Sequence, residues 1–203
     1  MQLYLVRHGQ TDWNLQHRFQ GQADVPLNKT GEDQVQKIAQ RLSKIKIDAI
    51  YSSDLRRTVQ TADRIASHHE VNCVTDLRWR ELSFGAWEGL TYDEIKAKEP
   101  ELLEKWQTDP LNAAAPSGET LQQLAMRVDS ALEDLRADHE DQTVLLTVHG
   151  GTIQALLCLA LGIELNHYWQ FSVSSASLSE IAFYTRGAII NLFNDTSHLP
   201  KKT

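Results

Sequence analysis

Apolar residues recur along this chain with two spacings, and the spacings divide it into elements. Leu3–Val6 is a short continuous apolar run that reads as a buried strand, and the residues from Gly9 to Leu27 read as a long polar loop. Thr30 followed by Asp33 predicts a helix cap, after which Val35, Ile38, Ala39 and Leu42 recur at the spacing of one helical face. Ala49–Tyr51 is a short strand ending at Ser52 and Ser53. A second helix follows, with Leu55, Val59, Ala62 and Ala66 on one face. Strand, helix, strand, helix predicts a parallel sheet with helices outside it.

The middle loses this regularity. From Leu77 to Gly118 the chain carries Trp79, Trp87 and Trp106, frequent turn residues and only short periodic pieces. Thr91 with Glu94 predicts a capping box opening a helix that Pro100 interrupts. Thr120 then caps a long helix with Leu121, Leu124, Ala125, Val128, Leu132 and Leu135 in register. Val144–Val148 is the strongest buried strand, and Ile153, Leu156, Leu157, Ala160 and Leu161 form the apolar face of the helix after it. SLSEIAFY and AIINLFN read as two strands joined by a tight turn around Arg186 and Gly187. The expectation is an α/β three-layer sandwich with a mostly parallel central sheet. It forms a single domain over residues 1–203, with a helical excursion at about 82–118.

Composition narrows the partners. The chain has 20 Lys and Arg against 27 Asp and Glu, a formal charge of −7, and no basic tract, so no nucleic-acid partner is expected. The apolar stretch around Leu156–Leu161 is far shorter than a membrane span, and the start of the chain does not resemble a signal peptide. No membrane association and a cytoplasmic location are therefore expected. Cys73 and Cys158 show no metal-ligand spacing, and Cys158 reads as a buried free thiol. No metal or cofactor is expected. The tail strands could close the sheet or form an edge between copies, which leaves monomer and homodimer both open.

Two apolar strands end in the same way. LYLVRHG and VLLTVHGG each place a histidine and then glycine after the run, and Arg7 precedes His8. Ligands of open α/β sheets bind beyond the carboxyl ends of the strands, so His8 and His149 would face one crevice if their strands are parallel neighbours. Gly150 and Gly151 leave room for close backbone approach. The helix N-terminus that follows offers amide N–H groups to an anion. Arg7 could hold two phosphoryl oxygens with its planar fork. Arg56 and Arg57 in YSSDLRRTVQTA are further candidates that diverge on a helix, and periodicity alone does not choose between them. Asn14 could donate to a phosphoryl oxygen or to the backbone positioning His8. A histidine that accepts a phosphoryl group needs a proton donor for the leaving alkoxide. Glu81, among aromatic residues, is the candidate, since partial burial would raise its pKa, with Glu88 and Asp93 as rivals. The tryptophans read as core and pocket wall. His17, His68, His69, His139, His167 and His198 are scattered without a ligand pattern.

LVRHGQTDWN, RFQGQADVPLNKTG, YSSDLRRTVQTA, RELSFGAWEG, SGET and LLTVHGG, in that order from Leu5 to Gly151, together resemble the histidine phosphatase superfamily, with its phosphoglycerate-mutase-like fold. The resemblance implies that His8 is the nucleophile, phosphorylated during turnover, and that Arg7 and Arg57 hold the phosphoryl group. It makes His149 the second histidine, Glu81 the proton donor and Asn14 a phosphate contact. Gln20 and Gly21 fall where the mutases carry a serine or threonine and a glycine touching substrate, so the glutamine is a departure. Gly150 is a further expected contact.

The implied reaction is metal-independent hydrolysis of a phosphomonoester. Between Glu81 and Gly118 the chain has no arginine, and KAKEPELLEKWQTDPLNAAAP holds more acids than bases. Such a segment suits a phosphatase better than a mutase that must grip a doubly anionic substrate. FGAWEGLTYDEI, SGETLQQLAMRV and HGGTIQALLCLALG most resemble the alpha-ribazole phosphatases of cobalamin biosynthesis. Broad-specificity and phosphoserine phosphatases are similar, and a mutase or a non-catalytic phospho-ligand module are the remaining alternatives. In every case the expected partner is a small phosphorylated metabolite.

Overall fold

The computed structural model describes residues 1–200. The first apolar run is strand β1 (Gln2–Arg7), and a one-turn helix, α1 (Asp12–Leu15), lies in the loop that follows. Helix α2 (Lys29–Leu42), strand β2 (Ala49–Ser52) and helix α3 (Arg56–Ala66) come next, then strand β3 (Cys73–Thr75). Helices α4 (Tyr92–Lys98) and α5 (Pro100–Thr108) occupy the irregular middle. The chain continues with α6 (Leu121–Asp138), β4 (Thr143–Val148), α7 (Gly150–Leu161), β5 (Leu178–Tyr184) and β6 (Gly187–Asp195).

The six strands form one sheet in the order β3-β2-β4-β1-β5-β6. β1 to β4 run parallel, whereas β5 is antiparallel to β1 and β6 to β5. Strand alternation sorts the core: Leu3, Leu5, Val144, Leu146 and Val148 pack with α6 and α7, whereas Val6, Ile50 and Leu145 pack with α2 and α3. Burial on both faces explains why β1 and β4 read as unbroken apolar runs. The architecture is the expected α/β sandwich, helices on both faces of a mostly parallel sheet. No helix among the described residues is long and apolar enough to cross a membrane.

Local expectations needed correction in four places. Helix α2 is capped by Asn28, whose side chain accepts from the Gly31 N–H, and Thr30 lies inside the first turn. Asparagine caps as well as threonine, and the residue that stands outside the helix is the earlier one. Pro100 does not merely interrupt a helix; it opens α5 at a position where its missing N–H loses nothing, while the Thr91–Glu94 box does start α4. The buried face of α3 is Arg57, Thr58, Thr61, Ala62 and Ile65, whereas Val59 and Ala66 are only half-buried, because an arginine is turned inward. Strand β3 was not foreseen: two of its three residues are exposed at the sheet edge, so it carries no apolar signal.

Trp79, Trp87 and Trp106 belong to hydrophobic clusters. Trp79 is buried in the main core with α6. Trp87 forms a smaller cluster with Ile95, Leu103 and Ala115 inside the excursion, and Phe19, Phe84 and Trp106 pack against it. The Trp87 indole N–H donates to Glu99 Oε2 at 2.8 Å.

Candidate active site

The parallel register of β1 and β4 pairs Arg7 with Val148, so the next residue of each chain segment, His8 and His149, emerge side by side at the carboxyl ends. The His8 N–H donates to the Val148 carbonyl at 3.0 Å, extending the ladder by one step. The two imidazoles meet edge to face with ring centroids 5.3 Å apart. Both are almost wholly shielded, His8 at 2% exposure and His149 at 0%. β2 ends at the same level, and the first turn of α3 delivers Arg57 to the same place, also 0% exposed. Arg56, its neighbour, is exposed and lies beside Asp24.

Neutral carbonyls, not carboxylates, hold the guanidinium groups of buried Arg57 and half-buried Arg7. Arg57 donates to the Ala23 and Gly21 carbonyls, each at 2.7 Å, and its Nε donates to His149 Nδ1 at 3.2 Å. Arg7 donates to the Val173 carbonyl at 2.5 Å. Neither arginine forms an ion pair among the described residues, whereas Arg18, Arg41, Arg78, Arg80 and Arg127 each do. Burial lowers the Arg57 pKa to about 10 and also lowers that of Arg7, with Glu81 partly opposing both shifts. Both arginines remain cationic at neutral pH.

These charges set the state of the histidines. Burial, then Arg57 and the other charged neighbours, hold His8 and His149 well below the ordinary histidine range, so both are neutral. The partners fix the tautomers. His8 Nδ1 lies 2.7 Å from the Gly9 carbonyl and carries the proton, which leaves Nε2 with a lone pair. His149 Nδ1 accepts from Arg57, so its proton is on Nε2. His149 Nε2 and Arg7 Nε are both buried without a hydrogen-bond partner. Both are free to donate to an acceptor that enters between them.

Glu81 reaches the same place from the loop after β3. Its Oε2 accepts from the Gly151 N–H at 3.0 Å, and its Oε1 from the N–H groups of Thr152 at 3.2 Å and Leu82 at 2.9 Å. Two of the α7 amides expected to receive an anion therefore already hold this carboxylate, at the positive end of the helix. A Cβ on Gly151 would lie 2.5 Å from Glu81 Oε1, so glycine is what lets the carboxylate approach. At Gly150 an added Cβ would lie 3.5 Å from Arg7 Cζ, an ordinary van der Waals contact, so this position does not require glycine.

The other named residues have partners or positions of their own. Asn14 Oδ1 accepts from the Thr11 N–H at 3.0 Å within the capping box of α1, leaving its amide N–H₂ to donate. Gln20 is buried, and its Oε1 accepts from the Thr11 hydroxyl at 2.8 Å. Gly21 has φ +52 and directs its carbonyl to Arg57. Glu88 is occupied elsewhere, accepting from the Gln22 and Phe84 N–H groups, and Asp93 is exposed on α4. Sequence reasoning missed Gln22, Glu119 and Arg127, which hold the main chain around Glu81. The signal was a basic residue bordering the apolar face of α6, one position before buried Val128.

The profile of the histidine phosphatase superfamily (branch 1) matches residues 3–196. The phosphoserine phosphatase 1 of Hydrogenobacter thermophilus is 36% identical over 199 residues, covering 98% of this chain and 94% of that protein. A probable phosphoglycerate mutase, GpmB, of Escherichia coli is 34% identical over 208 residues, covering 98% of this chain and 95% of that protein. Among solved structures, the alpha-ribazole phosphatase from Shigella flexneri superposes with a TM-score of 0.90 at 26% identity, covering 96% of each chain. With that match running almost end to end, this chain belongs to the histidine phosphatase superfamily, branch 1.

Proposed function

We propose that this protein hydrolyses small phosphomonoesters through a phosphohistidine on His8, without a metal ion. One observation carries the reading: two cationic arginines with no carboxylate partner, and a buried, unpaired His149 Nε2–H, surround a neutral histidine whose Nε2 is free. That constellation lacks only an anion with several acceptor oxygens.

In the first step His8 Nε2 forms a bond to phosphorus as the ester P–O bond breaks. Arg7, Arg57 and His149 stabilise the equatorial oxygens, and Glu81, entering this step as the carboxylic acid, gives its proton to the departing alkoxide and becomes the carboxylate. In the second step water attacks phosphorus, the P–N bond breaks, and Glu81 takes the water proton. The enzyme returns to its starting state with inorganic phosphate released. Asn14, Gln20, Gly21 and Gly150 would contact substrate at the rim.

For the leaving group, the reading favours phosphoserine or a similarly compact alkyl phosphate. Its support is the 36% identical relative, a phosphoserine phosphatase. Alpha-ribazole 5′-phosphate is the second reading, supported by the sequence blocks and by the likeness to the Shigella enzyme. Hydrolysis is favoured over mutase chemistry by the arginine-free segment between Glu81 and Gly118.

The test is phosphate release in the presence of a chelator from phosphoserine, alpha-ribazole 5′-phosphate, 3-phosphoglycerate and an aryl phosphate. A His8→Ala variant is the control. The expected result is turnover that survives chelation and falls by several powers of ten in the variant, since about 3 kcal/mol of lost stabilisation is already two powers. Turnover retained by His8→Ala would remove the phosphohistidine mechanism. A preference of about a hundredfold for the ribazole ester, roughly 2.7 kcal/mol, would replace the phosphoserine reading.

A further inference from the structure

The loop from Arg80 to Phe84 has neither helix nor strand, so its main-chain polar groups must find partners outside it. One side chain holds the consecutive carbonyls of Arg80 and Glu81. Arg127 reaches from α6, and its Nη1 donates to the carbonyls of Arg78 at 2.9 Å and Arg80 at 2.5 Å. Its Nη2 donates to the Glu81 carbonyl and to Glu119 Oε2, both at 2.8 Å, and its Nε to Glu119 Oε1 at 2.9 Å. All five N–H groups of the guanidinium are thereby used. Glu119 completes the arrangement: its Oε2 also accepts from the Ser83 N–H at 2.9 Å, and Gln22 Nε2 bridges it to the Glu81 carbonyl. The ion pair is well shielded, with side-chain exposures of 17% and 23%.

We propose that Arg127, with Glu119, is a positioning residue that fixes the main chain of Glu81 so that its carboxyl meets the departing oxygen. The inference rests on the reading of Glu81 as proton donor. Glu81 is held at both ends, its carboxylate by the α7 amides and its carbonyl by Arg127 and Gln22. A general acid displaced by about 1 Å can lose about a hundredfold in rate, so a rigid backbone mount matters as much as the carboxyl itself. Lysine, with three donors on a point charge, cannot reproduce the five-bond fork.

Leaving-group chemistry gives a readout that general destabilisation does not move. An aryl oxide departs with little help from an acid, whereas a serine alkoxide requires one. Turnover of phosphoserine and of an aryl phosphate would be measured for the wild type, Arg127→Met, Arg127→Lys and Glu81→Gln. Melting temperatures would confirm folding. The expected result is an alkyl-to-aryl turnover ratio that falls about tenfold or more in Arg127→Met and Glu81→Gln, with partial recovery in Arg127→Lys. If Glu81→Gln shifts the ratio and Arg127→Met lowers both turnovers equally, the positioning role is overturned and the acid role stands. If Glu81→Gln leaves the ratio unchanged, the acid role fails, and the inference about Arg127 fails with it. Should Arg127→Met not fold, Glu119→Gln takes its place, with a fall of about threefold expected and an unchanged ratio as the overturning result.

Discussion

Two buried neutral histidines make the stability of this protein depend on pH in a window where few other groups titrate. His8 and His149 have folded-state pKa values held well below the ordinary value by burial and by Arg57 and Arg7. In the unfolded chain each recovers a pKa near 6.5. Below that value the unfolded state binds protons that the folded state refuses, so stability is fully present above about pH 7 and is lost as pH falls. Integrating the linkage from about pH 7.5 to 5.5 gives a loss of about 1.4 kcal/mol for each histidine and about 2.7 kcal/mol for the pair. For a chain of this length that corresponds to a fall in Tm of about 5 to 10 °C.

The carboxylates confuse this little. Asp54, Asp76, Glu119 and Asp195 are shifted downward, and their contribution is lost mainly below about pH 5. His69 and His198 are also lowered, chiefly by burial, and add slope of the same sign. The comparison that isolates the site is therefore urea denaturation of the wild type and of His8→Gln/His149→Gln across this range. The double variant should lose stability less steeply, by up to about 2.7 kcal/mol over the same two pH units. Equal dependence in the two proteins would refute the claim that both imidazoles are neutral in the folded state.

Two further predictions concern the same crevice. Arg57→Ala leaves the Ala23 and Gly21 carbonyls and His149 Nδ1 without their donor, and should cost about 2 to 5 kcal/mol in denaturation experiments, whereas exposed Arg56→Ala should change stability by under about 0.5 kcal/mol. Gly151→Ala would push Glu81 Oε1 out of its place, and turnover of phosphoserine should fall about tenfold while Tm, helped by alanine in the helix, stays within about 2 °C.

Much of this could be read from the chain because the decisive signals were local. β1 and β4 are buried on both faces and announce themselves as apolar runs, and each histidine sits one residue past its strand by simple adjacency. What sequence could not supply was pairing. Arg56 and Arg57 are equivalent as letters, and only the packing of α3 on the sheet turns one of them inward. The α7 amides looked open to an anion because the carboxylate that occupies two of them comes from a loop some 70 residues earlier. Arg127 borders the apolar face of α6, but its role was hidden because its five acceptors include main-chain carbonyls, which have no sequence signature.

The choice of partners for Arg7 and Arg57 explains how an acidic protein can offer an anion site. A carboxylate beside either guanidinium would relieve its burial in the resting state, as happens for Arg80 with Asp54 or Arg127 with Glu119. It would also cancel the charge, and an arriving phosphoryl group would have to displace it at the cost of stranding a buried anion. Backbone carbonyls orient the guanidinium groups through fixed dipoles, and no carboxylate forms an ion pair with either. Burial first, and then the charges of Arg57 and Arg7, keep His8 unprotonated, and so able to attack. A dianion then satisfies the arginines and the idle His149 N–H together, in a shielded place where each such contact is worth more than in water. Two shielded cations without an ion-pair partner are therefore the feature that selects the ligand and, together with burial, readies the nucleophile.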